Sequence, residues 1–403
     1  MCRQGAAQED EGSERHELAD VMRDFGPELS ELTLDQARVV RDIARCRTPD
    51  LGGQVHECDQ CGHREFVFKS CCNRHCPKCQ SLKQARWIQA RQAELLPVSY
   101  FHVVFTIPSV LRSVFRANSR VCLNLLFAAV SETLQEVALN PARLGARIGF
   151  TAVLHTWTQK LCYHPHVHCI VAGGGINADG TQWVSSKRRF FLPVRILSTV
   201  FRGKLLDKLE RAQHKGELRQ PKSLPDRWLQ DAAKKKWVIY SKHPFAGPEQ
   251  VLSYLGGYTH RIAFSNHRLV ALRGRLVTFR WKDRSDGNKT KLLTLDAVDF
   301  LRRFLLHVMP RGFMKIRHYG FLANSVRRES IALCRKLLAV DEQETDTAAE
   351  NAPTGETWQE LLQRLTGTDV TLCPTCKVGH LVPRDWIRPT GGKWSILGRA
   401  TSP

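Results

Sequence analysis

The chain has 403 residues, too many for one small core, and 42% of them are hydrophobic, enough to fill two or three domains. Sixty Lys and Arg stand against 39 Asp and Glu, and the net charge of +21 favours a polyanionic partner. No run approaches the ~18 apolar residues of a spanning helix, and the first 20 residues are polar and acidic, so neither a membrane segment nor a secretory leader is expected.

In chain order, "LTLDQARVVRDIARC" reads as a weak helix after a polar start. Seven of the fourteen cysteines then fall between Cys46 and Cys79. "SLKQARWIQARQAELLP" is a basic helix stopped at Pro97, and "VSYFHVVFTIP" (98–108) a buried strand rich in aromatic and β-branched residues. Residues 119–139 have helical periodicity, and "IGFTAVLHTWTQ" reads as a strand. "HVHCIVAGGGINADGTQWVSS" is a strand, a glycine-rich turn and a returning strand. A helix ("PVRILSTVFRGKLLDKLERAQ"), a strand ("KKKWVIYSKHPF") and the start of a helix ("GPEQVLSYLGGYTHRIA") follow. Then come a hairpin over 267–283 and a helix stopped at Pro310. Residues 341–357 are acidic and apolar-poor, a linker before a short tail. The mixture predicts an α+β domain with helices packed on a sheet.

Three features carry chemistry. The cysteine cluster contains Cys58-x-x-Cys61 and Cys76-x-x-Cys79, with 14 residues between the two pairs. In a chain without an export signal this reads as a closed tetrahedral zinc site before it reads as disulfides. Cys46, His56, Cys71 and His75 could form a second site; Cys373-x-x-Cys376 in the tail is half of one.

The second feature is "YHPHVHCIVAGGG", with His164, His166 and His168 at alternating positions. On a strand, residues i and i+2 face the same way about 6.6–7 Å apart, so two neighbouring imidazoles can grip one metal and the outer pair cannot. Pro165 marks a strand start or edge, which makes His166 and His168 the better pair. The third feature is Tyr254 and Tyr258, at i and i+4 on one helical face. A phenol is a weak nucleophile unless the group it attacks is polarised, and a neighbouring metal does that. Two glycines between the tyrosines point to close approach by another element, and His260 and Arg261 suit phosphate contact.

Together these motifs resemble those of the HUH single-strand endonucleases, whose signature is a His-hydrophobic-His strand with a Tyr-x-x-x-Tyr helix. With the cysteine-rich region, the chain is similar to the rolling-circle insertion-sequence transposases that carry an N-terminal zinc-binding domain. The resemblance runs from about residue 30 to 330, through "SCCNRHCPKCQ", "YFHVVFTIP", "HPHVHCIVAGGG", "YLGGYTHR" and "FLLHVMPRGFMKIRHYGFLAN".

It implies an α+β fold with a ferredoxin-like antiparallel sheet, preceded by a small zinc-binding domain. The chain would divide into an N-terminal helical segment (1–45), a zinc-binding DNA-contact domain (46–96), the HUH tyrosine domain (97–330) and a linker with tail (331–403). Structural Zn²⁺ and catalytic Mg²⁺ or Mn²⁺ are implied, and single-stranded DNA at element ends and target is the partner. The protein would be cytoplasmic and nucleoid-associated in a bacterium. Tyr254 and Tyr258 would attack the scissile phosphate to give 5′-phosphotyrosine links. By analogy with related replication initiators the third metal ligand would be Gln159, with His155 the runner-up. A plasmid replication initiator or relaxase would share this chemistry, and a zinc-ribbon DNA-binding protein would use the cysteines without it.

Overall fold

The structure, a computed structural model, describes residues 16–79, 81–92, 94–187, 191–222, 224–242, 262–339, 357–389 and 396–397, together with Val251 and Gly256. Tyr254, Tyr258, His260 and Arg261 lie outside the described residues.

Strands β1 (Gly53–Cys58) and β2 (Arg64–Phe68) form a hairpin in the cysteine-rich region. β3 (Tyr100–Thr106), β4 (Arg147–Trp157), β5 (Tyr163–Ile176), β6 (Trp183–Ser185) and β7 (Ile239–Lys242) follow. β8 (Leu269–Arg273), β9 (Leu276–Asp283) and β10 (Lys289–Asp296) make a meander, then come β11 (Ile316–Gly320), β12 (Leu381–Ile387) and β13 (Ile396–Leu397).

The central sheet is antiparallel, in the order β11-β4-β5-β3-β7, with β6 paired to the end of β5. Its two faces follow from strict alternation in the sequence. Phe101, Val103 and Phe105 of β3, Phe150, Ala152 and Leu154 of β4, and Val167, Cys169 and Val171 of β5 form one face. Helices Ser119–Leu139 and Val194–His214 cover it with Leu123, Phe127, Val130, Leu197, Phe201 and Leu205, completing the main core. Helix Ser119–Leu139 is long and apolar enough by composition to cross a membrane, but here it is a core helix. The opposite face carries His102 and Val104 of β3, Val153 and His155 of β4, and His166, His168, Ile170 and Ala172 of β5.

A second core joins the first helices to the later meander. Leu18, Val21 and Met22 of helix Leu18–Phe25, with Val39 and Ile43 of helix Leu34–Ala44, pack with Val277, Phe279, Phe300, Leu301 and Phe304. Helix Leu34–Ala44 starts on a reciprocal cap between Thr33 and Gln36, and helix Ala297–Leu305 on the Asp296 side chain. Segment 307–313 locks this unit to the central sheet. Arg74 donates to the Phe313 and Pro310 carbonyls at 2.6 and 2.9 Å. The Met309 N–H donates to His75 Nε2 at 3.3 Å, and His307 Nε2 donates to the Leu161 carbonyl at 3.1 Å.

The tail expected beyond residue 331 does not stand apart. β12 pairs antiparallel with β1, Gly53 opposite Ile387 and Cys58 opposite Leu381, in a four-stranded sheet ordered β13-β12-β1-β2. The strands β1, β2, β10, β11, β12 and β13 are additions to the elements read from the sequence. β10 extends the expected 267–283 hairpin to three strands.

Candidate active site and cysteine tetrads

Antiparallel pairing sets His155 of β4 directly opposite His166 of β5. His168 stands two residues further along the same face. The three imidazoles converge, and one ring nitrogen from each lies within 4.8 Å of the others. Ring centroids are 4.6 Å apart for His155 and His168 and 4.8 Å for His166 and His168. His155 and His168 are buried at 3% and 7% exposure. Trp157 stacks on His155 with centroids 4.5 Å apart and closes one side.

The surrounding hydrogen bonds fix which nitrogens face inward. His166 Nδ1 donates to the His164 carbonyl at 2.6 Å, so the neutral ring keeps its lone pair on Nε2. His102 Nε2 and His168 Nδ1 share a proton at 2.8 Å, with the rings stacked at 7°. A histidine on β3 thus orients a histidine on β5, the arrangement that steadies metal-ligating imidazoles. Burial lowers His166 to about 4 and holds His168 well below the usual histidine value, with the Arg284 charge acting in the same direction. These rings are neutral and ready to ligate at physiological pH. His164 stays out of the cluster because Arg112 donates to its Nδ1 at 2.9 Å.

Of the two candidates for a third ligand, the structure brings His155, the runner-up, beside His166 and His168. Gln159 lies past the end of β4, and its carbonyl accepts from Arg268, whereas His155 is in register with His166. Gln159 instead lines a cavity of about 690 Å³ that opens over the three histidines. Lys160, Trp281, Lys282, Asp283 and Arg284 line it too, the last four from the end of β9 and the turn after it. Lys160 Nζ sits 3.9 Å from the Trp281 ring centroid, tying that turn to the loop after β4. His102, Arg112, Lys160, Trp281 and Arg284 were not singled out from the sequence. The only available signal was His102, a polar residue in the middle of an otherwise apolar strand.

Of the segment that holds the two tyrosines, Val251 and Gly256 are described, and both are helical. Val251 is fully buried in one cluster with Ile170 and Ala172, on the face of β5 that carries His166 and His168. A Cβ on Gly256 would collide with the Ile88 side chain of helix Ser81–Gln92. At Gly256 the close approach is therefore by side chains of that helix, and Gly257 lies outside the described residues.

The cysteines form two tetrads, and neither is the expected one. Cys58 and Cys61 do not meet Cys76 and Cys79. Cys46, Cys71, Cys76 and Cys79 gather beside the second core, with sulfur separations of 3.5 Å (Cys46–Cys79), 3.6 Å (Cys46–Cys76) and 3.7 Å (Cys71–Cys79). His56 is turned to Gln54 and His75 to Met309, so neither imidazole joins them. Cys58 and Cys61 gather instead with Cys373 and Cys376, because β12 runs beside β1. Both arrangements are closed sets of four sulfurs, as in structural zinc sites.

Residues 17–107 match the family model "Transposase zinc-binding domain", and residues 149–330 match "Putative transposase". The first match spans the whole Cys46 tetrad, and the second spans the three histidines and both tyrosines. "Putative transposase y4qJ" of Sinorhizobium fredii is 46% identical over 378 residues, covering 91% of this chain and 94% of that protein. The transposase for insertion sequence element IS801 of Pseudomonas savastanoi pv. phaseolicola is 29% identical over 303 residues, 72% of this chain and 71% of that one. Among solved structures, a conjugative relaxase TrwC in complex with oriT DNA covers 40% of this chain and 71% of its own at 15% identity. Its TM-score is 0.22, too slight a likeness to bear on the site. The class is thus a transposase with an N-terminal zinc-binding domain on an antiparallel α+β body. The chain belongs to the rolling-circle insertion-sequence transposases of the IS91 and IS801 type.

Proposed function

We propose that this transposase nicks and rejoins single-stranded DNA at element ends, using Tyr254 and Tyr258 as nucleophiles beside a metal held by His155, His166 and His168. The observation that carries this reading is the convergence of three buried imidazoles, two of them oriented by hydrogen bonds, beneath a cavity with a cationic rim. The donor set fits a divalent transition metal such as Mn²⁺ better than Mg²⁺, which favours oxygen ligands. Bound there, the metal would polarise the scissile phosphate and stabilise charge as it develops.

The chain's own residues do the rest. Lys160, Lys282 and Arg284 hold the phosphates of the strand above the histidines. Trp281, at the cavity wall, offers an aromatic surface to unstacked bases. His102 keeps His168 in its ligating orientation. In cleavage, the phenolate oxygen of Tyr254 or Tyr258 forms a bond to phosphorus as the bond to the 3′-oxygen breaks. The proton lost by the phenol is balanced by the one the departing 3′-oxygen gains. The 5′-phosphotyrosine link keeps the phosphodiester's energy, so rejoining a 3′-hydroxyl needs no nucleotide cofactor. Two tyrosines allow donor and target strands to be held in turn. Val251, three positions before Tyr254 in the sequence, is buried against Ile170 and Ala172 on the histidine face of β5.

The test is nicking of a single-stranded oligonucleotide bearing an element end, with Mn²⁺ added. His166→Ala and His168→Ala are each expected to abolish nicking while DNA binding, which rests mainly on Lys and Arg, persists. Nicking at the wild-type rate by either variant would refute the metal site.

A further inference from the structure

We propose that Cys58, Cys61, Cys373 and Cys376 bind a second zinc ion that clasps the C-terminal segment onto the N-terminal zinc-binding domain. The matched zinc-binding region ends at residue 107, so half of this site lies far outside it. The proposal is independent of the nuclease reading above.

The sulfur geometry is that of a tetrathiolate site. The Cys58 and Cys376 sulfurs are 3.7 Å apart, as are those of Cys61 and Cys373. Four sulfurs at about 2.3 Å from a central zinc sit roughly 3.8 Å from one another. A disulfide would need about 2.05 Å. Each pair also has the backbone of a metal knuckle, in which amide N–H groups point at a thiolate. Gln60 and Cys61 direct theirs at the Cys58 sulfur at 3.4 and 3.5 Å, and Gly379 directs its own at the Cys376 sulfur at 3.3 Å. Such hydrogen bonds stabilise the deprotonated form that zinc requires.

The two knuckles also fit each other. The His380 N–H donates to the Asp59 carboxylate at 2.8 Å, and the Asp59 N–H donates to the His380 carbonyl at 3.1 Å. Position 379 must be glycine, because a Cβ there would come within 2.5 Å of the Cys58 sulfur and 2.7 Å of the Asp59 carboxylate. Without a metal, four thiols would crowd together at a partly exposed edge where Cys61 is open to solvent. The ladder between β1 and β12 holds the strands, but an edge pairing of this length closes a loop of some 300 residues, whose entropy opposes it. A zinc at the end of the ladder offsets that cost, and makes docking of the tail conditional on metal.

The test uses the full-length protein, purified under reducing conditions, with bound metal counted by mass spectrometry. Two zinc ions per chain are expected in the wild type and one in the Cys373→Ser/Cys376→Ser variant. A protease site placed between Ala339 and Thr357 provides a second readout. After cleavage the C-terminal fragment should co-elute with the body of the wild type and separate from it in the double variant. Circular dichroism matching the wild type shows that the variant body is folded. Cobalt substitution should give thiolate charge-transfer absorption that halves in the variant. A wild type holding one zinc, or a variant that still holds two, overturns the proposal. A fragment that stays bound equally without its cysteines overturns the clasp.

Discussion

Replacing His155 separates the site seen here from the one with Gln159 as third ligand. His155 is buried, in register with His166, and supplies one of three nitrogens within 4.8 Å. Loss of an outer partner of a metal ligand costs about 10–100-fold in affinity, so loss of a ligand itself should cost at least ~100-fold, or about 2.7 kcal/mol. The assay is thermal unfolding with and without Mn²⁺ at about 100 times the wild-type Kd. The wild type should gain about 2.7 kcal/mol, and a variant bound 100-fold more weakly about 0.4 kcal/mol. The difference of roughly 2.3 kcal/mol corresponds to about 5–9 °C in Tm for a domain of this size. Each variant is compared with its own metal-free form, so any damage from emptying a buried position cancels. His155→Ala should lose nearly all the metal-induced shift, and Gln159→Ala should keep it. A His155→Ala protein with the full shift, beside a Gln159→Ala protein without it, would refute the assignment.

Three further outcomes follow from the same geometry. His102→Phe removes the partner of His168 Nδ1 and should weaken Mn²⁺ binding about 10–100-fold in a titration, with the fold retained. His307 is buried between Thr156 and the Leu161 carbonyl and lowered by that burial to about 4. Its neutral form is the folded one, so stability is full above about pH 6.5 and falls as pH drops from there toward 4, by on the order of 3 kcal/mol. Denaturation curves for His307→Gln should be flatter than wild type across that window. Arg74→Met removes two charge-assisted hydrogen bonds to the 310–313 turn and should cost about 3–5 kcal/mol in urea unfolding.

The sequence was most legible where periodicity was long and local. Helix Ser119–Leu139 matches its predicted span, and β3 and β5 show the alternation that places His166 and His168 on one face. It was least legible where pairing partners are distant. Each Cys-x-x-Cys looks alike locally, and which doublets meet is set by the β1–β12 ladder between ends of the chain. A clue was present in the tail: Cys373-x-x-Cys376 is half a site in search of a complement. Likewise, His155 and Gln159, four residues apart, would share one strand face, and only the β4–β5 register and the end of β4 at Trp157 show that it is His155 that stands opposite His166. β10 was missed because its outward positions are charged or exposed and its apolar ones few. The packing of helix Leu18–Phe25 against residues 277–304 is likewise a long-range fact with no local signature.

The most direct test of the central claim is a denaturing gel of the protein incubated with a labelled single-stranded element end and Mn²⁺. A covalent protein–DNA adduct is expected with the wild type. It should persist in reduced amount with either Tyr254→Phe or Tyr258→Phe, and vanish when both are replaced. An adduct that survives in the double variant would contradict the tyrosine mechanism.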